Sequence, residues 1–416
     1  MDKFDVDEMH VVEPRAAGID VHKMQLTVSL RLCEPGRPSA LTLTGTFATH
    51  PQGLREMAGW LAEHEVGAAT MEGTGIYWEK PYRTLEAEGV RVRLVHAQHV
   101  KQIKGRKTDV ADSLWLARIC QFGLARASFV PSKEFSDLRQ LCRYRRKVVR
   151  DRVRLRHRIH KTIDREGLHV GGVLSDLFGV NGRRILDGLV SGLDAERILA
   201  GLTAHVRGKL DHLARALEAE LDPHSLWCLQ GLLQDCDAAE RRIQELDQRV
   251  EDALAADHRR QLDLLETIPG IGRTSAHAIL AEIGPDLART FPTAQNLASW
   301  TGICPGNNES AGKRRSGRTR RGNETLKVTL TECAHAAART LGSQFHGYHG
   351  ALTKRIGYRK AVTATAHKLL RVIYAVLRDD RPYRDPQVDY ERLFVKRNAP
   401  RWLRMLKKHR LLEELQ

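Results

Sequence analysis

Between Pro131 and Gly167 the chain contains neither proline nor glycine. Over that stretch apolar residues recur at helical spacing, at Leu138, Leu141, Val148, Val149, Val153, Leu155, Ile159 and Ile163. Proline removes a helix hydrogen bond and glycine weakens a helix, so their absence with a 3.6-residue period predicts one long helix, or two stacked ones, over 132–166. Such a helix needs a partner for its apolar stripe. A second long helical pattern over roughly 226–265 can supply one. The pair is expected to form an antiparallel, coiled-coil-like hairpin that carries the intervening residues as an insertion. The insertion is rich in glycine, and 168–220 contains no motif that can be assigned.

The same stretch is strongly basic. Residues 139–161 hold eleven lysines and arginines against one acid, Asp151. Arg143, Arg145, Arg146, Lys147, Arg150, Arg152, Arg154, Arg156, Arg158 and Lys161 lie around almost the whole helix. So many like charges repel unless a polyanion neutralises them. The formal net charge of +16 points the same way, to DNA, RNA or an anionic membrane. The membrane is disfavoured, because no apolar run reaches the roughly 18 residues of a spanning helix. Phosphate contacts give affinity without sequence choice, so duplex DNA and structured RNA fit equally well. The acidic N-terminus lacks the apolar core of a secretory signal. Seven scattered cysteines form no C-x-x-C pair, which fits reduced thiols in a cytoplasm; the expected location is cytoplasmic and nucleoid-associated. Cys304, Cys333 and His335 match no zinc spacing.

Ahead of the basic helix, residues 15–125 read as an α/β domain. Short apolar runs at 16–21, 26–32, 41–47, 67–71 and 90–95 are bounded by glycine, proline or charge, as strands are. Helical patterns fall at 54–65 and 77–88, and a third helix is expected from Thr108 through Cys120. Two acids lie at the ends of these runs, Asp20 after Ala16–Ile19 and Glu72 after Ala68–Met71. Asp109 and Asp112 stand three apart at a helix start and share a face. Acidic side chains at strand ends of one sheet converge on its edge. Four converging carboxylates repel one another unless cations neutralise them, and two magnesium ions about 4 Å apart would form a phosphoryl-transfer device. The plainer readings are a strand cap for Asp20, a turn residue for Glu72 and favourable helix-dipole charges for Asp109 and Asp112.

Beyond 266 the chain is again mostly helical. Ile268-Pro269-Gly270-Ile271-Gly272 resembles the turn of a helix-hairpin-helix element, whose glycines let backbone approach phosphate; the alternative is an ordinary helix–helix turn. A small-residue helix leads to a loop, Gly306 to Arg318, in which Ser310 stands among small neighbours. Six of the nine residues from Lys313 to Arg321 are basic: Lys313, Arg314, Arg315, Arg318, Arg320 and Arg321. Cations there would hold a phosphate while a serine attacks it, or would merely grip nucleic-acid backbone. Ser316 is a lesser candidate. Helices are expected at 325–341 and 359–377, and the basic tail from 385 is expected to be loosely attached. The domains predicted are therefore 1–130, 131–265, 266–384 and the tail 385–416.

Gly18-Ile19-Asp20-Val21-His22-Lys23, Met71-Glu72-Gly73-Thr74-Gly75 and Lys107-Thr108-Asp109-Val110-Ala111-Asp112 resemble the N-terminal domain of the DEDD insertion-sequence transposases, relatives of the Piv-type DNA invertases. Trp300-Thr301-Gly302-Ile303-Cys304-Pro305, Glu309-Ser310-Ala311-Gly312-Lys313 and Arg320-Arg321-Gly322-Asn323 resemble the C-terminal transposase domain of the same family. The resemblance covers about 15–125 and 266–380, in the expected order. It implies an RNase H-like (RuvC-like) first domain in which Asp20, Glu72, Asp109 and Asp112 bind two divalent ions, Mg2+ or Mn2+. It further implies a nucleophilic serine at Ser310, a covalent protein–DNA intermediate, a structured noncoding guide RNA and a homo-oligomer joining one subunit's first domain to another's serine domain. The family's usual Ser-Gly-Gly-Lys is here Ser-Ala-Gly-Lys, preceded by Glu309, which alters the loop but keeps the hydroxyl. Two other readings remain at this level. A RuvC-like junction nuclease would need the carboxylates but not Ser310, and a non-catalytic nucleic-acid-binding protein would need neither.

Overall fold

The structure, a computed structural model, describes residues 10–34, 39–73, 75–95, 109–124, 127–255, 257–304, 308–310, 313–316 and 319–409. The chain divides into two compact units, Met1–Val130 and Pro131–Gln416.

The first unit is a five-stranded sheet with helices against it. Its strands are β1 (Arg15–Val21), β2 (Gln25–Leu32), β3 (Leu41–Ala48), β4 (Ala68–Glu72) and β5 (Arg91–Val95), in spatial order β3-β2-β1-β4-β5. β1, β2 and β3 are antiparallel neighbours, while β4 runs parallel to β1 and β5 parallel to β4. The helices are α1 (Pro51–Glu63), α2 (Glu79–Ala87) and α3 (Asp109–Gln121). Each expected strand is present within a residue or so.

Side chains alternate between the two faces of a strand. Ala17, Ile19 and Val21 of β1 and Ala69 and Met71 of β4 enter one core with Leu54, Met57 and Leu61 of α1 and Leu85 of α2. The even-numbered positions face α3, where Ala16 and Ala68 pack with Cys120. Gly18 is the contact point between β1 and α3. A Cβ there would lie 2.0 Å from the Ser113 carbonyl oxygen and 2.1 Å from the Ala117 nitrogen. Both are backbone atoms, so only glycine lets this helix approach the strand. Ser113 Oγ also meets Ser29 Oγ at 2.8 Å in the buried seam. Gly18→Ala is therefore expected to destabilise the protein by at least about 1–3 kcal/mol, the usual cost of overpacking, as read by urea unfolding. An unchanged midpoint would contradict this seating of α3.

Among its described residues the second unit is helical apart from a short hairpin. Residues 133–165 form a single helix, α4 (Lys133–Arg165), capped by Ser132. After it come α5 (Val170–Val173), α6 (Val180–Val190), α7 (Ala195–Ala200), a 3-10 turn (Ala204–Lys209), α8 (Leu210–Ala216) and the long α9 (Pro223–Ala255). α4 and α9 run antiparallel: Arg145 meets Asp247, Arg152 meets Glu240, and Glu166 accepts from Ser225. Val148, Ile243 and Leu246 form part of their apolar seam. Farther along, Ile159, Ile163, Leu229 and Leu233 join Leu168, Ile185, Leu186 and Leu213 of the insertion in one core. The insertion thus closes the end of the helical pair.

The expected second helix overruns the observed one. It stops at Ala255, and a separate helix, α10 (Arg259–Glu266), follows. The His258 ring at that break packs edge-on against Phe135, with centroids 5.1 Å apart. Next come α11 (Arg273–Ile283), α12 (Leu287–Thr290), α13 (Ala294–Thr301), the hairpin β6 (Asn308–Ser310) and β7 (Lys313–Ser316), α14 (Glu324–Arg339), α15 (Gln344–Ile356), α16 (Tyr358–Asp379) and α17 (Tyr390–Lys408). The region expected to be a loose tail is largely α17. Its start is fastened by Tyr390 to Lys368 and, just before it, by Asp385 to the Gln344 amide and the Tyr383 hydroxyl. No helix among the described residues is long and apolar enough to cross a membrane.

Candidate active site

Asp20 and Glu72 are brought together by strand register. β1 and β4 are parallel neighbours with Ile19 beside Met71, so the next residue of each strand is an acid. Both acids occupy the α3 face, because Ile19 and Met71 point into the opposite core. The Asp20 side chain is 13% exposed, and its Oδ2 lies 3.1 Å from His22 Nε2.

The direction of α3 places the remaining two acids. Ser113 and Ala117 cross over Gly18, whereas Cys120 packs on Ala16 and Ala68. The Gln121 carbonyl accepts from Val12 and Glu13, ahead of β1. α3 therefore runs opposite to β1 and β4, and its first turn lies toward the strand ends that carry Asp20 and Glu72. Asp109 and Asp112 occupy that first turn, one helical turn before the sheet-facing Ser113 and Leu116. Asp112 is half-buried, and the side chain of Asp109 lies outside the described residues. Among the described residues no three metal-ligating side chains are already gathered for one ion. Among the described residues, the three candidate ligands Asp20, Glu72 and Asp112 are carboxylates, with the His22 ring beside Asp20. Hard oxygen ligands of this kind suit Mg2+ or Mn2+ and not a soft-ligand metal.

In the second unit Ser310 ends β6 and pairs with Lys313 at the start of β7, while Glu309 pairs with Arg314. Arg315 also lies on β7. Side chains of these residues, and all of Arg318, lie outside the described residues. The base of the segment is closely packed. A Cβ on Gly322 would lie 2.5 Å from the Gly302 nitrogen, and one on Gly302 would lie 2.8 Å from the Arg320 carbonyl. This close pairing holds the two ends of the serine-bearing segment side by side, with Arg320 and Arg321 exposed next to it.

Glu282, a residue not singled out by sequence, anchors that base. Its carboxylate is 1% exposed. It accepts from Arg143 at 2.8 and 3.0 Å and from Asn323 Nδ2 at 2.6 Å, with Arg139 Nε at 3.5 Å. Asn323 also caps α14 through the Leu326 amide and donates its own amide to the Trp300 carbonyl. Burial brings the Arg139 guanidinium down to about 10, against the opposing pull of Glu282.

The basic helix requires a correction. Its cations are not left to repel one another over the whole surface. Arg143 pairs with Glu282, Arg145 with Asp247, Arg146 with Glu332, and Arg152 and Arg156 with Glu240. Acids of α9, α11 and α14 thus neutralise the inward part of the helix. Lys147, Arg150, Arg154, Arg158, Lys161 and Arg165 are exposed and recur every third or fourth residue. They form one stripe about 27 Å long at 1.5 Å per residue. Within it, among the described residues, only Arg154 has an acidic partner, Asp151 at 2.7 Å.

The Pro269–Gly272 turn is also explained by packing. Gly270 has φ +87°, and a Cβ on it would lie 2.5 Å from Ala337 N and Cys333 O, so its close approach is to α14. Gly272 has open space around it and precedes α11. Arg273, on the first turn of α11, is held by Glu251, Asp263 and Glu266, and its bond to Glu251 keeps that carboxyl near 2. The cysteines are dispersed too: Cys304 lies 3.9 Å from His367, Cys333 is buried, and His335 contacts Tyr358.

Comparison with known proteins matches two stretches of the chain. A family model for DEDD transposases of the IS110 type matches residues 17–166. A second, described as transposase IS116/IS110/IS902 family, matches residues 262–350. The two occur in order and together take in more than half of the chain. The chain is 27% identical to a probable family 20 transposase of Pseudomonas aeruginosa, over 75% of its own length and 83% of that protein. It is 26% identical to the transposase for insertion sequence element IS1111A of Coxiella burnetii, over 78% and 81%. Similarity at 22% extends to a pilin gene-inverting protein of Moraxella bovis, over 81% and 89%. Two matched domains in family order, with the four acids and the serine inside them, lead to one assignment: the chain belongs to the IS110-type DEDD transposase family, whose members are enzymes that cleave and rejoin DNA.

Proposed function

We propose that this protein is the recombinase of a mobile DNA element, with an RNase H-like first unit whose Asp20, Glu72, Asp109 and Asp112 hold two divalent cations and with Ser310 as nucleophile. The observation that supports the reading is that β1, β4 and the start of α3 meet at one sheet edge, so that the backbone positions of Asp20, Glu72, Asp109 and Asp112 share that edge. When bound, the cations would stabilise negative charge on the oxygens around phosphorus. The chain's own work is to hold the DNA and supply the attacking group. Ser310 Oγ would form a bond to phosphorus as the bond to one DNA oxygen breaks. The serine proton is transferred to solvent or a base, and the departing strand leaves with a hydroxyl end. Lys313, Arg314, Arg315, Arg318, Arg320 and Arg321 are assigned to the phosphates beside Ser310. The exposed stripe from Lys147 to Arg165 is assigned to nucleic-acid backbone. A structured guide RNA and a homo-oligomeric assembly belong to the same reading, as does a phosphate contact at Gly272, which has open space around it.

The test is a covalent adduct. Wild-type protein incubated with labelled element-end DNA and Mg2+ is expected to yield a denaturant-resistant protein–DNA species, mapped by mass spectrometry to Ser310. Ser310→Ala should remove it. Cleavage that persists at the wild-type rate in Ser310→Ala would replace this mechanism with hydrolysis by water.

A further inference from the structure

Trp227, on the first turns of α9, is 73% exposed. Its exposed indole offers a broad flat face on which a planar partner can stack. It lines a cleft of about 760 Å³ between α9 and α4, together with Gln230 and Gln234 from its own helix and Arg158, Lys161 and Thr162 from the other. Arg158 and Lys161 belong to the exposed basic stripe and, among the described residues, make no ion pair. An indole face, two cations, a hydroxyl and two amides therefore share one trough along the antiparallel pair.

We infer that this cleft binds unpaired nucleotides: a base stacks on Trp227, while Arg158 and Lys161 take its flanking phosphates. The chemistry separates this ligand from a duplex. A flat indole contacts a π-face that is accessible only on an unstacked base, whereas lysine and arginine alone grip any phosphate backbone. Gln230 and Gln234 add donors and acceptors that suit base edges or sugar hydroxyls. A second copy of this chain is a poorer occupant, because it would bring the same basic stripe against itself. The inference rests on the nucleic-acid reading above and makes it specific.

Fluorescence anisotropy with labelled 12-mers tests it, using single-stranded oligouridylate, single-stranded oligothymidylate and a random duplex of the same length against the full chain. Trp227→Ala is expected to weaken single-strand binding about tenfold and leave duplex binding within twofold, with Trp227→Phe close to wild type. Preference for the uridylate arm would identify RNA as the ligand, and preference for the thymidylate arm would identify DNA; either supports the proposal. Single-strand binding unchanged in Trp227→Ala but reduced in Arg150→Gln/Arg154→Gln would overturn the stacking site and leave the nucleic-acid reading standing. No loss in either variant would overturn the stacking site and the assignment of the exposed stripe to nucleic-acid backbone. A change in subunit number in Trp227→Ala by light scattering, without loss of single-strand binding, would mean that the cleft is a contact between copies.

Discussion

Asp20→Asn is expected to reduce DNA strand cleavage by on the order of 10³-fold or more, with Glu72→Gln similar, while neither lowers the melting temperature. The size follows from removing a ligand of charges that would contribute several kcal/mol to the transition state, each 1.36 kcal/mol being tenfold in rate. The sign on stability follows from the same geometry. Like charges that share one sheet edge repel when no cation lies between them. Neutralising one in metal-free protein removes that repulsion, and thermal unfolding in chelator should show an equal or higher midpoint. Asp20 as a mere strand cap predicts the opposite pair of results: cleavage retained and stability lost. His22, 3.1 Å from the Asp20 carboxylate, keeps a partner in the asparagine variant, which isolates the charge from the hydrogen bond.

Glu282→Ala is expected to cost about 3–5 kcal/mol of stability, the range for stripping one partner from a buried ion pair. The loss has two sources. Arg139, 11% exposed, is left buried without its nearest carboxylate, and Asn323 loses its 2.6 Å contact at the start of α14. Asp247→Ala provides the contrast. Its side chain is 40% exposed and its arginine partner borders solvent, so the pair is screened and its removal should cost within about 1 kcal/mol. Urea denaturation of the two variants checks the difference, and equal midpoints would contradict the anchoring role of Glu282. Because Glu282 and Asn323 brace the base of the Ser310 segment, the alanine variant should also form the Ser310 adduct more slowly at temperatures where it remains folded.

These residues differ in how far the sequence announces them. The five strands were readable because each is a short apolar run closed by glycine, proline or charge, and the α4 helix because nothing interrupts its period. The four acids stand out in the sequence as a candidate set because two lie at strand ends and two open a helix. Gly18 lies in plain view within the first motif, but its role depends on a backbone 95 residues later in sequence reaching within 2.0 Å of an added Cβ. Glu282 carries no local mark at all, since its partners Arg139, Arg143 and Asn323 come from distant segments. Counting like charges along α4 overstated their repulsion for the same reason: the neutralising acids stand on other helices. α15 was missed because Gly342, Gly347 and Gly350 give it the composition of a loop. A Ser343 cap and the burial of Phe345, His349 and Leu352 hold it as a helix. The break after Ala255 has no proline or glycine to signal it and is fixed by His258 against Phe135. Local pattern sets elements; pairings across the chain set which charges remain for a ligand.

The claim on which the rest depends is that the edge formed by β1, β4 and α3 is a cation site. Anomalous diffraction from crystals soaked in Mn2+ tests it without reference to activity. The account predicts two peaks about 4 Å apart, flanked by the carboxylates of Asp20, Glu72, Asp109 and Asp112, and their disappearance in Asp20→Asn. Manganese bound elsewhere, with this edge empty at saturating metal, would contradict it.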